Sequence, residues 1–302
     1  MQTRVLPFSD ESIAEAARLI LAGEPVAVAT ETVYGLAADA TNPAAVARIY
    51  DAKGRPSFNP LIVHVPDVAA AERIGEFGSE ARGLAGAHWP GPLTLVVPLR
   101  ADARIASLAT AGLATVGLRV PAHPAMQALL RATDRPLAAP SANASGRISP
   151  TRAKHVLRSL DGRIPLVIDA GVTQRGLEST IIAATGGALR LLRPGPIDIA
   201  AESATGGSVE SPGQLASHYA PSKPLRLDAT EAAGDEFLIG LGEIQGDATL
   251  SASGDLLEAA ARLFELLHVA DASPKPRLAV APIPDGGLGA AINDRLRRAA
   301  TR

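Results

Sequence analysis

A chain of 302 residues, 47% hydrophobic and 20% charged, has ample material for a core and exceeds the commonest domain size, so two domains are expected. A formal net charge of −2 excludes the broad basic excess of a dedicated nucleic-acid binder, and 3% aromatics leaves few rings on which bases could stack. With no cysteine there is no disulfide framework, no thiolate zinc site and no cysteine nucleophile.

The charge is uneven. Residues 1–200 carry 20 Lys and Arg against 17 Asp and Glu, while residues 201–302 carry 9 against 14. The excesses, +3 and −5, sum to the −2 of the whole and favour a small anionic ligand in the first part. Met1 to Leu6 lacks a secretory apolar region, and no apolar run is long enough to span a bilayer, so a cytoplasmic enzyme or binding protein is expected.

Ser9 reads as an N-cap, with an amphipathic helix over Ser12 to Leu21 ended by Gly23 and Pro25. Val26 to Ala29 is an apolar run with the character of a buried strand, and it ends in Thr30-Glu31-Thr32. Helical spacing over Ala44 to Ala52 places Val46, Ile49 and Tyr50 on one side. Val68 to Ala87 reads as helical despite Gly75, Gly78, Gly83 and Gly86. Trp89 to Pro92 is a turn into a strand at Leu93 to Val97. Thr115 to Val120 is a strand with Arg119 inside it, Pro124 to Ala132 a short helix, and Leu137 to Ala139 a short strand.

Pro140 to Gly146 is a loop of small polar residues before a helix expected to begin near Ser149 or Pro150. Leu166 to Asp169, Ser179 to Ala184 and Leu189 to Leu192 read as strands. Strands alternating with helices predict an α/β fold, with a mixed sheet because several links are too short for crossovers. Ile199 to Ser222 shifts to Gly, Ser, Pro and Ala, yet carries His218 and Tyr219, which a plain spacer rarely needs. A strand at Glu236 to Gly240, a helix at Leu256 to Val269, a strand at Leu278 to Ala281 and a helix at Gly289 to Ala300 follow. The expected division is a catalytic domain over 1–200, a linker or lid over 201–222 and a smaller α/β domain over 223–302.

No P-loop, dinucleotide glycine fingerprint, kinase signature or HExxH motif is present. Four polar groups remain. Thr30 and Thr32 stand with Lys53, Arg55, Asn59 and His64, two of them cations on a stiff Gly/Pro turn suited to gripping an anion. Thr115 stands with Arg119, whose charge in a buried strand needs either a ligand or a pair with Glu31 or Asp39. Ser141, Asn143, Ser145 and Ser149 flank Gly146 and could form an anion nest, helped by the helix expected after them. Glu178-Ser179-Thr180 enters one strand and Arg193 leaves the next. His155, in a helix with Arg152 and Arg158, reads as part of a solvated face.

In order, Thr30 to Leu36, Lys53-Gly-Arg-Pro56, Asn59-Pro-Leu61, Trp89 to Thr94, Arg119-Val-Pro121, Pro140 to Gly146, Glu178-Ser-Thr180 and Leu192 to Gly195 resemble the YrdC-type domain. With Ser211 to Pro221 and the C-terminal α/β part, the chain resembles the long, two-domain threonylcarbamoyl-AMP synthase family over nearly its whole length. The resemblance implies a YrdC-like twisted mixed sheet with flanking helices and a concave site, plus a smaller Rossmann-like α/β domain. It also implies a nucleotidyltransferase that makes threonylcarbamoyl-AMP, pyrophosphate and water from ATP, L-threonine and bicarbonate, the first step toward threonylcarbamoyladenosine in tRNA.

By the same resemblance Thr32, His64, Arg119 and Ser179 would hold L-threonine. Arg55, Asn59, Thr115, Ala139, Ser141, Ser149, Arg193 and Tyr219 would contact ATP, with Lys53 and Asn143 in the same phosphate-handling motifs. Lys53 and Arg55 are the expected catalytic cations, Mg2+ would accompany ATP, and the linker would close over the nucleotide as a lid. No resident metal site, stable nucleic-acid binding or membrane contact is expected, and a threonylcarbamoyl transferase complex is the expected partner. Two rivals stand beside this: an RNA-binding YrdC-type module without catalysis, and the related domain of hydrogenase maturation.

Overall fold

The computed structural model describes residues 2–203 and 209–301, organised by two sheets. The larger has eleven strands in the order Arg4–Pro7, Leu166–Asp169, Val26–Ala29, Tyr34–Asp39, Leu137–Ala138, Ile62–His64, Thr115–Arg119, Leu93–Pro98, Thr180–Ala183, Arg190–Arg193 and Glu202–Ser203. It is mixed. Val26–Ala29 runs parallel to Leu166–Asp169 but antiparallel to Tyr34–Asp39, since the link over 30–33 is too short for a crossover. The smaller sheet has four parallel strands in the order Leu225–Arg226, Arg277–Val280, Glu236–Gly240 and Ala248–Thr249, accompanied by helices Leu256–Ala272 and Leu288–Ala300. The chain is therefore α/β in both parts. No described helix is long and apolar enough to cross a membrane.

Local chemistry sets the elements that carry the site. The Ser9 side chain accepts from Ser12 N–H, and Ser12 Oγ accepts from Ser9 N–H, a reciprocal cap on helix Asp10–Leu21 of the kind that contributes about 1 kcal/mol. Asn42 caps helix Pro43–Lys53 through the N–H groups of Ala44 and Ala45. Gly54 ends that helix in the left-handed region, at φ 59°, which turns the chain so that Lys53 and Arg55 both point inward and are buried.

Three expectations are corrected. Val68 to Ala87 is two helices, Val68–Glu72 and Ser79–His88. Between them the chain pairs with the end of strand Leu93–Pro98, and a Cβ on Gly75 would meet Val97 Cγ2 at 2.4 Å, so the glycine permits a contact that a continuous helix would not make. The helix expected near Ser149 begins at Ala153, because Pro150 O accepts from Tyr34 N–H and Thr151 N–H donates to His155. The small-polar loop therefore does not sit at a helix N-terminus. His155 is buried, not solvated, and its ring stacks on His268 of the C-terminal part at 3.8 Å.

The two parts share packing. Val33, Ile148 and Leu177 from the larger part join Tyr219, Phe264 and Leu263 in one apolar cluster. Beside it Glu265 receives Arg152 at 2.7 Å and Lys154 at 3.3 Å. The last strand of the larger sheet, Glu202–Ser203, lies inside the stretch expected to be linker, and residues 204–208 of that stretch lie outside the described residues.

Candidate active site

One cavity gathers residues from seven separate segments. Thr32, Arg55, His64, Arg119, Ala139, Ser141, Arg193 and Tyr219, all expected site residues, line it together with Glu178, Pro212 and His218. Thr115 lines a smaller neighbouring hollow covered by Glu210, Ser211 and Pro212. The other expected residues stand behind the lining, each bonded to a residue in it. Asn59 O accepts from Arg55, Asn143 N–H donates to Ser141 O, Ser149 Oγ donates to Glu178, and Ser179 accepts from Arg193.

The cations are arranged alike. Arg55 donates from Nε to Asn59 O at 3.2 Å and from Nη2 to Pro60 O at 2.8 Å. Arg193 donates from Nε and Nη2 to Ser179 O and Oγ, each at 3.0 Å. Arg119 donates from Nε to Gly91 O at 3.2 Å and from Nη2 to Glu31 Oε1 at 2.6 Å and Thr32 Oγ1 at 3.1 Å. In all three the Nη1 group has no hydrogen-bond partner among the described residues. Each guanidinium is thus fixed on two sides and has one N–H edge available to an anion.

Burial lowers Arg55 to about 10 and also lowers Arg193. Such a group of buried positive charges is costly without negative charge to answer it. Glu31 answers Arg119 alone. Burial pushes its carboxyl up, but Arg119 and its backbone hydrogen bonds outweigh that and hold it below the usual range.

Unpartnered buried atoms cluster around the same cavity. Both amide atoms of Asn59, both ring nitrogens of His64, Asn143 Oδ1, Ser211 Oγ, His218 Nδ1 and the Tyr219 hydroxyl lack partners. Each such group costs about 1–3 kcal/mol when left unmet, so their concentration here marks a surface built to be completed by a polar ligand. Burial, reinforced by Arg119, takes His64 down to about 3. His64 is a neutral hydrogen-bonding ring and a weak base.

Lys53 stands beneath the cavity lining. Its Nζ donates to Ser141 O at 2.6 Å and to Asn143 O, and it does not line the cavity. Burial carries its ammonium well below the usual lysine range, with Arg55 adding to the effect. Lys53 therefore shapes the Pro140 to Gly146 loop from beneath.

The linker fills what remains. The cavity holds only about 40 Å³, room for a few waters and far below the roughly 300–1,000 Å³ of pockets that take small molecules. Tyr219 is buried with φ 62°, and Ala220 N–H donates to Gly146 O at 2.7 Å. A molecule of nucleotide size does not fit this cavity with the segment in place. A larger hollow of about 440 Å³ opens elsewhere, beside Arg73, Arg104 and Arg135. Those side chains are exposed and no unpartnered buried atom lies among them, so the small cavity is where the chemistry is concentrated.

Among the described residues no group of three His, Asp or Glu is placed to hold a metal. The two carboxylates nearest the cavity, Glu31 and Glu178, are committed to Arg119 and Arg295. These residues do not fit a resident metal ion.

Glu178, Pro212 and His218 line the cavity without having been assigned to it from the sequence, and Arg295 stands behind Glu178. Glu178 was visible only as part of a strand entry. Arg295, wholly buried, was hidden in the terminal helix, where it shares a face with Ile292, Leu296 and Ala299. A charge at that helical spacing among apolar residues was the available signal.

Residues 18–195 match the Sua5/YciO/YrdC family model, described as "Telomere recombination". Residues 172–301 match the model "Threonylcarbamoyl-AMP synthase, C-terminal domain". A threonylcarbamoyl-AMP synthase of Bacillus subtilis is 39% identical, over 99% of this chain and 95% of its own length. Another, of Pyrococcus abyssi, is 36% identical over 94% and 92%. The crystal structure of P. abyssi Sua5 complexed with L-threonine aligns with TM-score 0.89 and 35% identity, covering 99% of this chain and 97% of that one. The chain therefore belongs to the Sua5/YciO/YrdC family, in the form that carries the threonylcarbamoyl-AMP synthase C-terminal domain.

Proposed function

We propose that this chain is an L-threonylcarbamoyl-AMP synthase, converting ATP, L-threonine and bicarbonate to threonylcarbamoyl-AMP, pyrophosphate and water. The observation that carries the reading is the convergence of three anchored arginines, each with an unused Nη1, on the cavity that also holds Thr32 and neutral His64. The P. abyssi relative solved with L-threonine supports it. In this reading residues 1–200 are the catalytic domain, 201–222 the lid and 223–302 an accessory α/β domain.

Arg119 takes the threonine carboxylate on its free edge, while Thr32, with Ser179 behind Arg193, fixes the amino acid's pose. His64 contributes hydrogen bonds to it without exchanging a proton. The amine, once neutral, forms the N–C bond to the carbon of bicarbonate, and that carbon's hydroxyl leaves as water. A carboxylate oxygen of the resulting carbamate attacks the α-phosphorus, and the bond to pyrophosphate breaks.

Negative charge builds on the departing oxygens, where Arg55 and Arg193 stabilise it. Losing one such preorganised contact typically costs about 2.7–4 kcal/mol of barrier. Mg2+ is carried in by ATP as part of the substrate. Asn59, Thr115, Ala139, Ser141, Asn143, Ser149 and Tyr219 form the nucleotide's surroundings, with Lys53 acting through the loop it supports.

The linker excludes water from the labile adenylate until a tRNA-directed threonylcarbamoyl transferase consumes it, in the cytoplasm and without stable nucleic-acid binding by this chain. The test is pyrophosphate release by the full chain with each substrate omitted in turn. Release that needs all three is expected; release independent of threonine, or none at all, counts against the proposal.

A further inference from the structure

We propose that Arg295, from the C-terminal domain, is a positioning residue for the adenylation site, holding Glu178 and Tyr219 so that the linker seats over the nucleotide. This rests on the reading above and assigns the second domain a part in it.

Arg295 lies on helix Leu288–Ala300 and has no exposed surface. A charge so placed is strongly destabilising unless specific partners answer it. Its Nε donates to Glu178 Oε2 at 2.9 Å and its Nη1 to Asp294 Oδ2 at 2.8 Å, while Nη2 is buried and unpartnered. The guanidinium carbon stands 5.2 Å from the centre of the Tyr219 ring, within the range of cation–π attraction. Glu178 and Tyr219 both line the cavity.

The other Glu178 oxygen accepts from Ser149. A continuous path therefore runs from Ser149, an expected nucleotide contact, through Glu178 and Arg295 to the aromatic ring of the linker. Its central link comes from the other domain. The same helix also holds the linker's backbone: His218 N–H donates to Arg298 O at 3.2 Å, and Arg298 Nη1 donates to Leu215 O at 2.6 Å.

A counter-ion for Glu178 and a positioning residue for the linker make different predictions, and charge-balanced variants separate them. The comparison is Arg295→Met, Glu178→Gln and the double variant, each as the full chain, with folding checked by thermal melts. The double variant removes both charges and so keeps the protein folded even if Arg295→Met alone leaves Glu178 buried and unfolds it. Two readouts apply: KM for ATP against kcat in pyrophosphate release, and protection of residues 211–221 from protease by ATP.

The expected result is that the double variant has an ATP KM about tenfold or more above that of Glu178→Gln alone, with kcat changed much less. ATP no longer protects its linker, and Arg295→Lys recovers part of both. A double variant equal to Glu178→Gln in KM and in protection would make Arg295 a counter-ion only and overturn the proposal. The two readings fail separately, since wild type without pyrophosphate release contradicts the function while the protease assay still reads Arg295.

Discussion

Arg119 Nη2 lies 2.6 Å from Glu31 Oε1, and both residues are buried. The pair and the ligand site are one arrangement, because Glu31, Thr32 and Gly91 O use only part of the guanidinium. Glu31 sets the plane of the fork, and the remaining edge faces the cavity as a rigid carboxylate receptor.

That rigidity gives the first prediction. Arg119→Lys keeps a charge beside Glu31 but loses the fork, so kcat/KM for threonine should fall about a hundredfold while the KM for ATP stays near its wild-type value. Arg119→Ala leaves Glu31 buried alone and should cost about 3–5 kcal/mol in urea unfolding. Steady-state kinetics with each substrate varied, and denaturation curves, check both.

Four buried histidines predict acid sensitivity: burial carries His218 well below the usual imidazole range, as it does the other three. Burial is the leading cause that lowers His268 to about 4, His64 to about 3 and His155 to about 2. Each is protonated in the unfolded chain near pH 6.5, so their contribution is complete above that pH. It is lost as pH falls, by about 1.4 kcal/mol per pH unit for each histidine, until the folded-state values are reached. Urea midpoints should therefore drop steadily from about pH 6.5 to about pH 4, and His268→Gln should flatten the slope. A midpoint constant over that range would contradict this.

Much of the framework was legible because it is local. The apolar run Val26 to Ala29, the Ser9 cap, and the helical side of Val46, Ile49 and Tyr50 each announce themselves within a few residues. The site's membership was legible mainly through ordered motifs, since no single turn or strand reports which cavity it faces. What stayed hidden depends on partners distant in sequence. Glu31 was within reach as a partner for Arg119, 88 residues on, because a buried charge demands one, whereas Glu178 is 117 residues from Arg295 and nothing near His155 reveals the ring of His268 stacked on it. Lys53 lies in a motif that the resemblance links to phosphate handling, and the carbonyls of a loop some ninety residues on take up its ammonium.

Gly213 tests the linker. It sits at φ 90°, and a Cβ there would lie 2.7 Å from Arg193 Cδ and 3.0 Å from the Tyr219 hydroxyl. Gly213→Ala combines backbone strain with that clash, so the linker should seat poorly. Faster protease cleavage within 211–221 and free adenylate accumulating in solution are expected, with an unchanged thermal midpoint for the rest of the chain.

Lys53→Met removes the donor shared by Ser141 O and Asn143 O. Loosening the loop should raise the KM for ATP while leaving that for threonine near wild type, and cost about 1–3 kcal/mol of stability. A variant that loses kcat alone, at normal KM and stability, would instead place the ammonium on the reacting phosphates.

The decisive measurement is mass detection of the nucleotide product after incubation with ATP, L-threonine and carbon-13 bicarbonate. Wild type should give a single species containing AMP, threonine and the labelled carbon, and Arg55→Ala and Ser141→Ala, both changed in the cavity lining, should give almost none. An unlabelled threonine–AMP adduct, or undiminished product from both variants, would contradict a cavity that joins carbamoylated threonine to the α-phosphate.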